Sequence, residues 1–155
     1  MAARHDFNRR TSTRTAAEVP FVRPFLEANV VIDVLAAREL HWRASARVLT
    51  IVEKQRTKAL VAAHSITKIY YLLSRHLNRR KARAAVVDLL NLVQVAAVDH
   101  DVLLQALSLG WDDVEDAVQA AAALAAGATH LITHNPRDFS GLTIPVVTPD
   151  EFIPV

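Results

Sequence analysis

The sequence predicts an α/β fold in which a mainly parallel central sheet of four to five strands is flanked by helices. Three observations carry this expectation. Short apolar runs of strand length recur at Phe25-Leu26, Leu60–Ala63, Val95–Val98, His130–Thr133 and Ile144–Val147. Between the first four of them lie stretches whose apolar residues repeat at helical spacing. Residues that cap helices or open turns fall at the junctions. Strands that alternate with helices pair in parallel through crossovers, with helices covering the sheet.

The first strand begins at Pro24, a position where the missing N–H is tolerated, and ends at Glu27. Asn29 is expected to cap a helix through Val30, Val31, Val34 and Leu35. A second helix, from His41 to Lys54, places Ala44, Val48, Ile51 and Val52 on one side. After the second strand, Ser65 is expected to open a helix with an apolar stripe of Ile66, Ile69, Tyr70, Leu73 and Leu77. The Arg79–Leu92 helix repeats the pattern with Ala82, Val86, Leu89 and Leu90. Asp99 suits the N-cap of a helix that stops at Gly110, where glycine accepts a left-handed conformation. Asp112, with Glu115 three residues on, forms a capping-box-like start to an alanine-rich helix ending at Gly127. Small side chains there predict close packing against the sheet. Pro145 marks the last strand as an edge, and Pro149 begins a closing turn.

The 155 residues fit one domain, read here as 21–155, preceded by a basic, poorly ordered extension at 1–20. Hydrophobic residues at 52% argue for a compact core over most of the chain. No uninterrupted apolar run reaches about 18 residues, so no membrane span is expected. The charged N-terminus lacks the apolar stretch of a secretory signal, and a cytoplasmic location is the simplest expectation. With no cysteine, thiolate metal sites and cysteine nucleophiles are excluded. Three glycines cannot supply a phosphate-binding glycine-rich loop. The histidines are scattered along the chain, and His64, His76 and His134 read as surface or capping groups. A net charge of +2 permits a polyanionic partner without requiring one. The cluster at Arg79, Arg80, Lys81 and Arg83 is either a solvated face or a phosphate-binding patch.

Ligands of open α/β sheets bind beyond the carboxyl ends of the strands. Glu27 and Asn29 follow the first strand there, Asn135 and Asp138 follow the fourth, and Asp116 lies early in the helix before it. Carboxylates brought together raise one another's pKa unless a cation sits among them. Mg²⁺ is the natural partner, because it takes carboxylate and water oxygens and favours hydrolysis of phosphodiesters. Each residue also has a plain structural reading: Asp112, Asp113, Glu115 and Asp116 as helix caps and dipole partners, Asp138 as turn chemistry, Glu27 as a loop acid.

Five segments together resemble the PIN domain family, and within it the toxin ribonucleases of VapC type. They are Leu26-Glu27-Ala28-Asn29-Val30-Val31-Ile32-Asp33-Val34-Leu35, the His64–Leu73 helix, Val114-Glu115-Asp116-Ala117-Val118-Gln119, Ile132-Thr133-His134-Asn135-Pro136-Arg137-Asp138-Phe139, and the Ile144–Phe152 ending. Their order and spacing agree over roughly residues 25 to 153. The resemblance implies a PIN-like three-layer fold and an endoribonuclease dependent on Mg²⁺ or Mn²⁺. It also implies the toxin role of a toxin–antitoxin pair, a homodimer and a cognate antitoxin partner. By the same resemblance Glu27 and Asp116 would be metal ligands, and Asp138 would join them in catalysis. Asn29 and Asn135 would support the site, Glu115 would be an extra ligand or only a cap, and Arg79, Arg80 and Lys81 would hold RNA.

This chain also departs from the family pattern. Position 27 is Glu where Asp is usual, and position 28 is Ala where a hydroxyl residue is usual. The helix after the second strand has no Glu between His64 and Leu77 and carries Lys68 instead. An ammonium there would neutralise Asp116 and compete with a metal, unless it faces solvent. Two readings follow: a metal-dependent ribonuclease toxin, or a catalytically impaired PIN domain that binds RNA or an antitoxin.

Overall fold

The structure is a computed structural model that describes residues 21–38, 41–55 and 58–152. The expected extension at 1–20 lies outside the described residues. Five strands form one parallel sheet: β1 (Pro24–Leu26), β2 (Leu60–Ala62), β3 (Gln94–Ala96), β4 (His130–Ile132) and β5 (Val146–Val147). Six helices accompany them: α1 (Ala28–Leu35), α2 (Trp42–Gln55), α3 (Ala63–His76), α4 (Arg79–Leu92), α5 (His100–Ser108) and α6 (Val114–Ala125). A single 3-10 turn spans Pro136–Phe139. The α/β class, the parallel sheet and the edge position of β5 match the expectations from sequence.

Side chains alternate across the strands and so divide the core into two layers. Leu26, Val61 and Ile132 point toward α1 to α4, where they meet Val30, Val31, Ile69 and Leu73. Phe25, Leu60, Ala62 and Leu131 point the other way, toward α5, α6 and Phe139. Each fully buried Leu or Ile here contributes about 1.5–3 kcal/mol. On α6, Ala117 and Ala120 to Ala123 are buried, so the helix lies close against the sheet as its composition predicts.

Several boundaries differ from expectation by one to three residues, each for a local reason. Glu27, not Asn29, caps α1: its carboxylate accepts from the Asn29 backbone N–H, which places Asn29 inside the helix. Asp113, not Asp112, caps α6, with Oδ1 accepting from the Asp116 N–H. Helix α3 starts at Ala63 without a side-chain cap, so Ser65 is a buried residue of its first turn. β3 begins at Gln94, whose N–H donates to Ala59 O, one residue ahead of the apolar run. The Asp99 cap, and Gly110 and Gly127 at positive φ after α5 and α6, are as expected.

The strand order is β3-β2-β1-β4-β5. The chain therefore leaves β1 toward one edge and later returns beside β1 to build the other. The segment after β1 enters α1 on one face, and the segment after β4 enters the 3-10 turn on the opposite face. They part at a crevice beyond the carboxyl ends of β1 and β4, the switch point where such sheets bind ligands.

Candidate active site

Glu27 stands at that crevice. Its N–H donates to Ile132 O at 3.0 Å, which continues the β1–β4 ladder and fixes the residue at the sheet's edge. Its side chain is 4% exposed. One carboxylate oxygen accepts from Asn29 N at 3.0 Å and the other from Asn29 Nδ2 at 3.1 Å. The buried Gln119 amide accepts from Ala28 N at 3.2 Å, while its Nε2 has no hydrogen-bond partner. Burial pushes the Glu27 carboxyl up to about 7, against the opposing pull of the Asn29 N–H and of the Lys68 ammonium.

Asp116 reaches the same crevice from the first turn of α6. Burial raises its pKa to about 6, and the neighbouring Asp113, Asp138 and Glu115 add to the rise. Asp138 comes from the 3-10 turn, its N–H donating to Asn135 O at 3.0 Å. These residues, with Asn29, Thr133, Asn135 and Lys68, line a cleft of about 150 Å³. The fold thus gathers Glu27, Glu115, Asp116, Asn135 and Asp138 from distant parts of the sequence.

Lys68 faces the cleft, as expected of a competitor for a metal and not of a solvent-facing side chain, and it offsets part of the charge of Asp116. Its Nζ lies 2.7 Å from Glu115 Oε1, so its direct partner is Glu115 and not Asp116, and it does not point to open solvent. Glu115 is therefore engaged in an ion pair while Glu27 and Asp116 touch no cation among the described residues. Arg79, Arg80 and Lys81 stand exposed in the first turn of α4 and line neither this cleft nor the cavities beside it.

Two contributors escape a reading of the sequence, and a third, Asp113, is read there only as a helix cap or dipole partner. Thr133 is buried, and its Oγ1 accepts from Asn135 N at 3.2 Å, which shapes the turn after β4. Gln119 hides within an alanine run. Asp113 is both cap and cleft wall. A polar side chain on a helix face that is otherwise apolar was the available signal for Gln119. His134, expected as a surface or capping group, is instead half-buried against Asp33.

The acids lining the cleft, Glu27, Asp113, Glu115, Asp116 and Asp138, outnumber its single cation among the described residues, Lys68. That chemistry fits a hard divalent ion held by one or two carboxylates and several waters. Among the described residues no three acidic or histidine side chains converge as a ready cage. Glu27 and Asp116 are the carboxylates that would hold such an ion.

The sequence profile of the PIN domain matches residues 23–137. The chain belongs to the PIN domain family. It is similar to Ribonuclease VapC1 of Aquifex aeolicus (strain VF5), with 26% identity over 133 residues that cover 83% of this chain and 91% of that protein. Among solved structures, VapC20 of Mycobacterium tuberculosis, a sarcin–ricin loop cleaving toxin, superposes with a TM-score of 0.62 at 18% identity, covering 77% of this chain and 96% of that one. A toxin–antitoxin complex from Klebsiella pneumoniae gives a TM-score of 0.64 at 20% identity, covering 83% and 99%. DNA-bound VapBC from Salmonella typhimurium gives 0.63 at 15%, covering 83% and 98%. At these identities the structural matches speak for a shared fold.

Proposed function

We propose that this PIN domain is a VapC-type toxin that hydrolyses RNA phosphodiester bonds with the help of Mg²⁺ or Mn²⁺. The observation that carries the proposal is the acidic cleft at the β1/β4 switch point, where Glu27 and Asp116 come together with raised pKa values and the one cation lining it among the described residues, Lys68, is bonded to Glu115. A bound divalent ion supplies the positive charge that these acids lack and that a phosphate under attack requires. The chain's own residues do the rest. Asn29 grips both oxygens of Glu27 and fixes the carboxylate's direction. The α6 N-terminus, capped by Asp113, holds Asp116 and eases its negative charge. Asp138 stands at the open lip, where it takes or returns a proton as water adds to phosphorus and the P–O bond breaks. Asn135, bonded through its backbone to Thr133 and Asp138, sets that lip.

The protein partners follow from the same reading. Toxin–antitoxin complexes are among the structural relatives, and exposed apolar side chains (Val87 and Leu90 on α4, Leu103, Leu104 and Leu107 on α5) offer area for an antitoxin or a second copy. No described helix is long and apolar enough to cross a membrane. The Lys68–Glu115 pair inside the cleft supports the second reading, a catalytically impaired domain that binds RNA or an antitoxin.

The deciding experiment is RNA cleavage with Mn²⁺ or Mg²⁺, compared with Asp116→Ala. The expected result is cleavage that stops on chelation and falls about 100-fold or more in the variant, with its far-ultraviolet circular dichroism unchanged. Cleavage that survives Asp116→Ala would sink the hydrolytic site. An intact RNA in every metal, with binding preserved, would select the binding-module reading.

A further inference from the structure

Beside the acidic cleft lies a second cavity of about 300 Å³, bounded by Asn29, Asp33, Arg38, His41, His134 and Asn135. Asn29 and Asn135 line both spaces, so the two adjoin. Its chemistry is the reverse of the cleft's. Asp33, on α1, is 3% exposed, and its carboxylate is shared between two basic groups. Oδ1 lies 3.6 Å from Arg38 Nη1, and Oδ2 is bonded to His134 Nε2. Ser45 Oγ, from α2, approaches the same His134 nitrogen at 3.3 Å. Both contacts use one ring nitrogen, so this is not a nucleophilic triad, in which acid and hydroxyl take opposite nitrogens. The arrangement instead fixes the plane of the His134 ring. On that ring His41 stacks, with centroids 4.3 Å apart and planes 27° apart.

The backbone is bent to the same end. Arg38 N donates to Asp33 O at 3.0 Å and Ala37 N to Val34 O at 3.2 Å, the paired bonds of a Schellman turn. Ala37 occupies its left-handed position at φ 49°, where glycine is usual. The turn brings Arg38 back over Asp33 while leaving 46% of the arginine side chain exposed. Two exposed planar groups, one guanidinium and one imidazole, are thereby presented on a rigid base.

We propose that Arg38 and His41, seated on Asp33 and His134, hold the nucleotide adjoining the phosphodiester that lies over the acidic cleft. The base stacks on His41 and its phosphate meets Arg38. This rests on the reading of the cleft as an RNA-processing site. Acidic walls repel the sugar–phosphate chain, so a strand crossing the cleft needs cationic and planar groups beside it. Planar side chains stack on any base, and guanidinium matches phosphate.

The test is anisotropy of a short fluorescein-labelled single-stranded RNA of mixed sequence, measured in EDTA so that no cleavage intervenes. A strand of the same length with abasic sites serves as the comparison. His41→Ala is expected to weaken binding of the normal RNA about 5- to 10-fold, with His41→Phe restoring it, and to have no effect on the abasic strand. Arg38→Ala is expected to weaken both strands alike and to lower the salt slope by about one. Unchanged affinity in both variants would overturn the proposal, as would no binding by the parent protein, or loss of affinity only on Arg80→Ala in α4. The hydrolytic reading fails separately: the parent then binds with these sensitivities yet leaves RNA intact in Mn²⁺.

Discussion

Two buried acids, one on each side of Asn29, show how differently a fold can treat the same charge. Glu27 and Asp33 are both nearly inaccessible, Glu27 capping the start of α1 and Asp33 lying near its end. Asp33 is met by Arg38 and His134. Glu27 is met only by neutral hydrogen-bond partners, and burial carries its pKa to about 7. A buried charge without a counter-charge is costly, and folds keep such groups mostly where a ligand supplies the partner. The paired acid thus anchors its neighbours, whereas the unpaired one carries a raised pKa.

The largest consequence is in stability. A carboxyl that titrates at about 7 in the folded chain and near 4.5 unfolded binds more protons folded than unfolded between those values. Its contribution is complete below the unfolded pKa and is lost as pH rises through the folded one. Glu27 should therefore weaken the metal-free fold by about 3 kcal/mol between pH 4.5 and pH 8. Asp116, with its pKa raised to about 6, adds a smaller drop of the same sign because it is partly exposed. Thermal melts in EDTA should show Tm falling across this window, and Mn²⁺ should restore it most at the alkaline end. A flat profile would mean that Glu27 is not the strained partner of the two.

For Asp33 the informative change is loss of its charge. Asp33→Asn keeps the size but removes the charge that gathers Arg38 and His134, and a loss of about 2 kcal/mol is expected at neutral pH. Denaturant unfolding of Asp33→Asn and of Asp33→Asn with His134→Ala would show the coupling: the double variant should cost less than the sum of the singles. Strict additivity would deny that the pair acts as a unit.

Lys68 lies between these extremes, near the unpaired acids but bonded to Glu115. Since both members of that pair are more than one-third exposed, solvent screens it and its stability contribution is small. Its influence on a cation should be larger than on folding. Lys68→Thr is expected to tighten Mn²⁺ binding by about 3- to 10-fold in calorimetry with little change in Tm. Weaker binding would show that the lysine orders Glu115 for the metal and does not compete with it.

The unpaired cluster was more legible in sequence than the paired one, and for a physical reason. Glu27, Asp116 and Asp138 each follow a strand or begin a helix, positions that the α/β rule sends to one edge. No such rule links Asp33 to His134, which meet across 101 positions of sequence. A clue existed nonetheless: Asp33 falls among Val30, Val31 and Ile32 on the inner face of α1, where an acid must be paired. The helix starts erred by one or two residues because Asn29 and Asp112 look like better caps than Glu27 and a second Asp. The choice between them depends on backbone angles at β-strand ends, which the strand pairing sets. Arg79, Arg80 and Lys81 were conspicuous as a cluster, but charge patterning carries no information about whether α4 lies at the cleft.

The smallest expected effect tests whether the paired region is held under strain. Ala37 has φ 49° at the end of α1, so its Cβ crowds the backbone in a way glycine would not. Ala37→Gly removes that crowding but also frees the unfolded chain, and the two effects partly cancel. The variant should be more stable than the parent by up to about 1 kcal/mol. The same change should leave the Arg38 N–H bond to Asp33 O in place, because glycine suits the Schellman turn better than alanine does. Ala37→Val moves the other way, since a β-branched side chain at positive φ is harder to hold. Chemical denaturation of the two variants gives the answer. If the valine protein matches the parent, the turn is looser than the two hydrogen bonds across it imply, and Arg38 is not pre-set over Asp33.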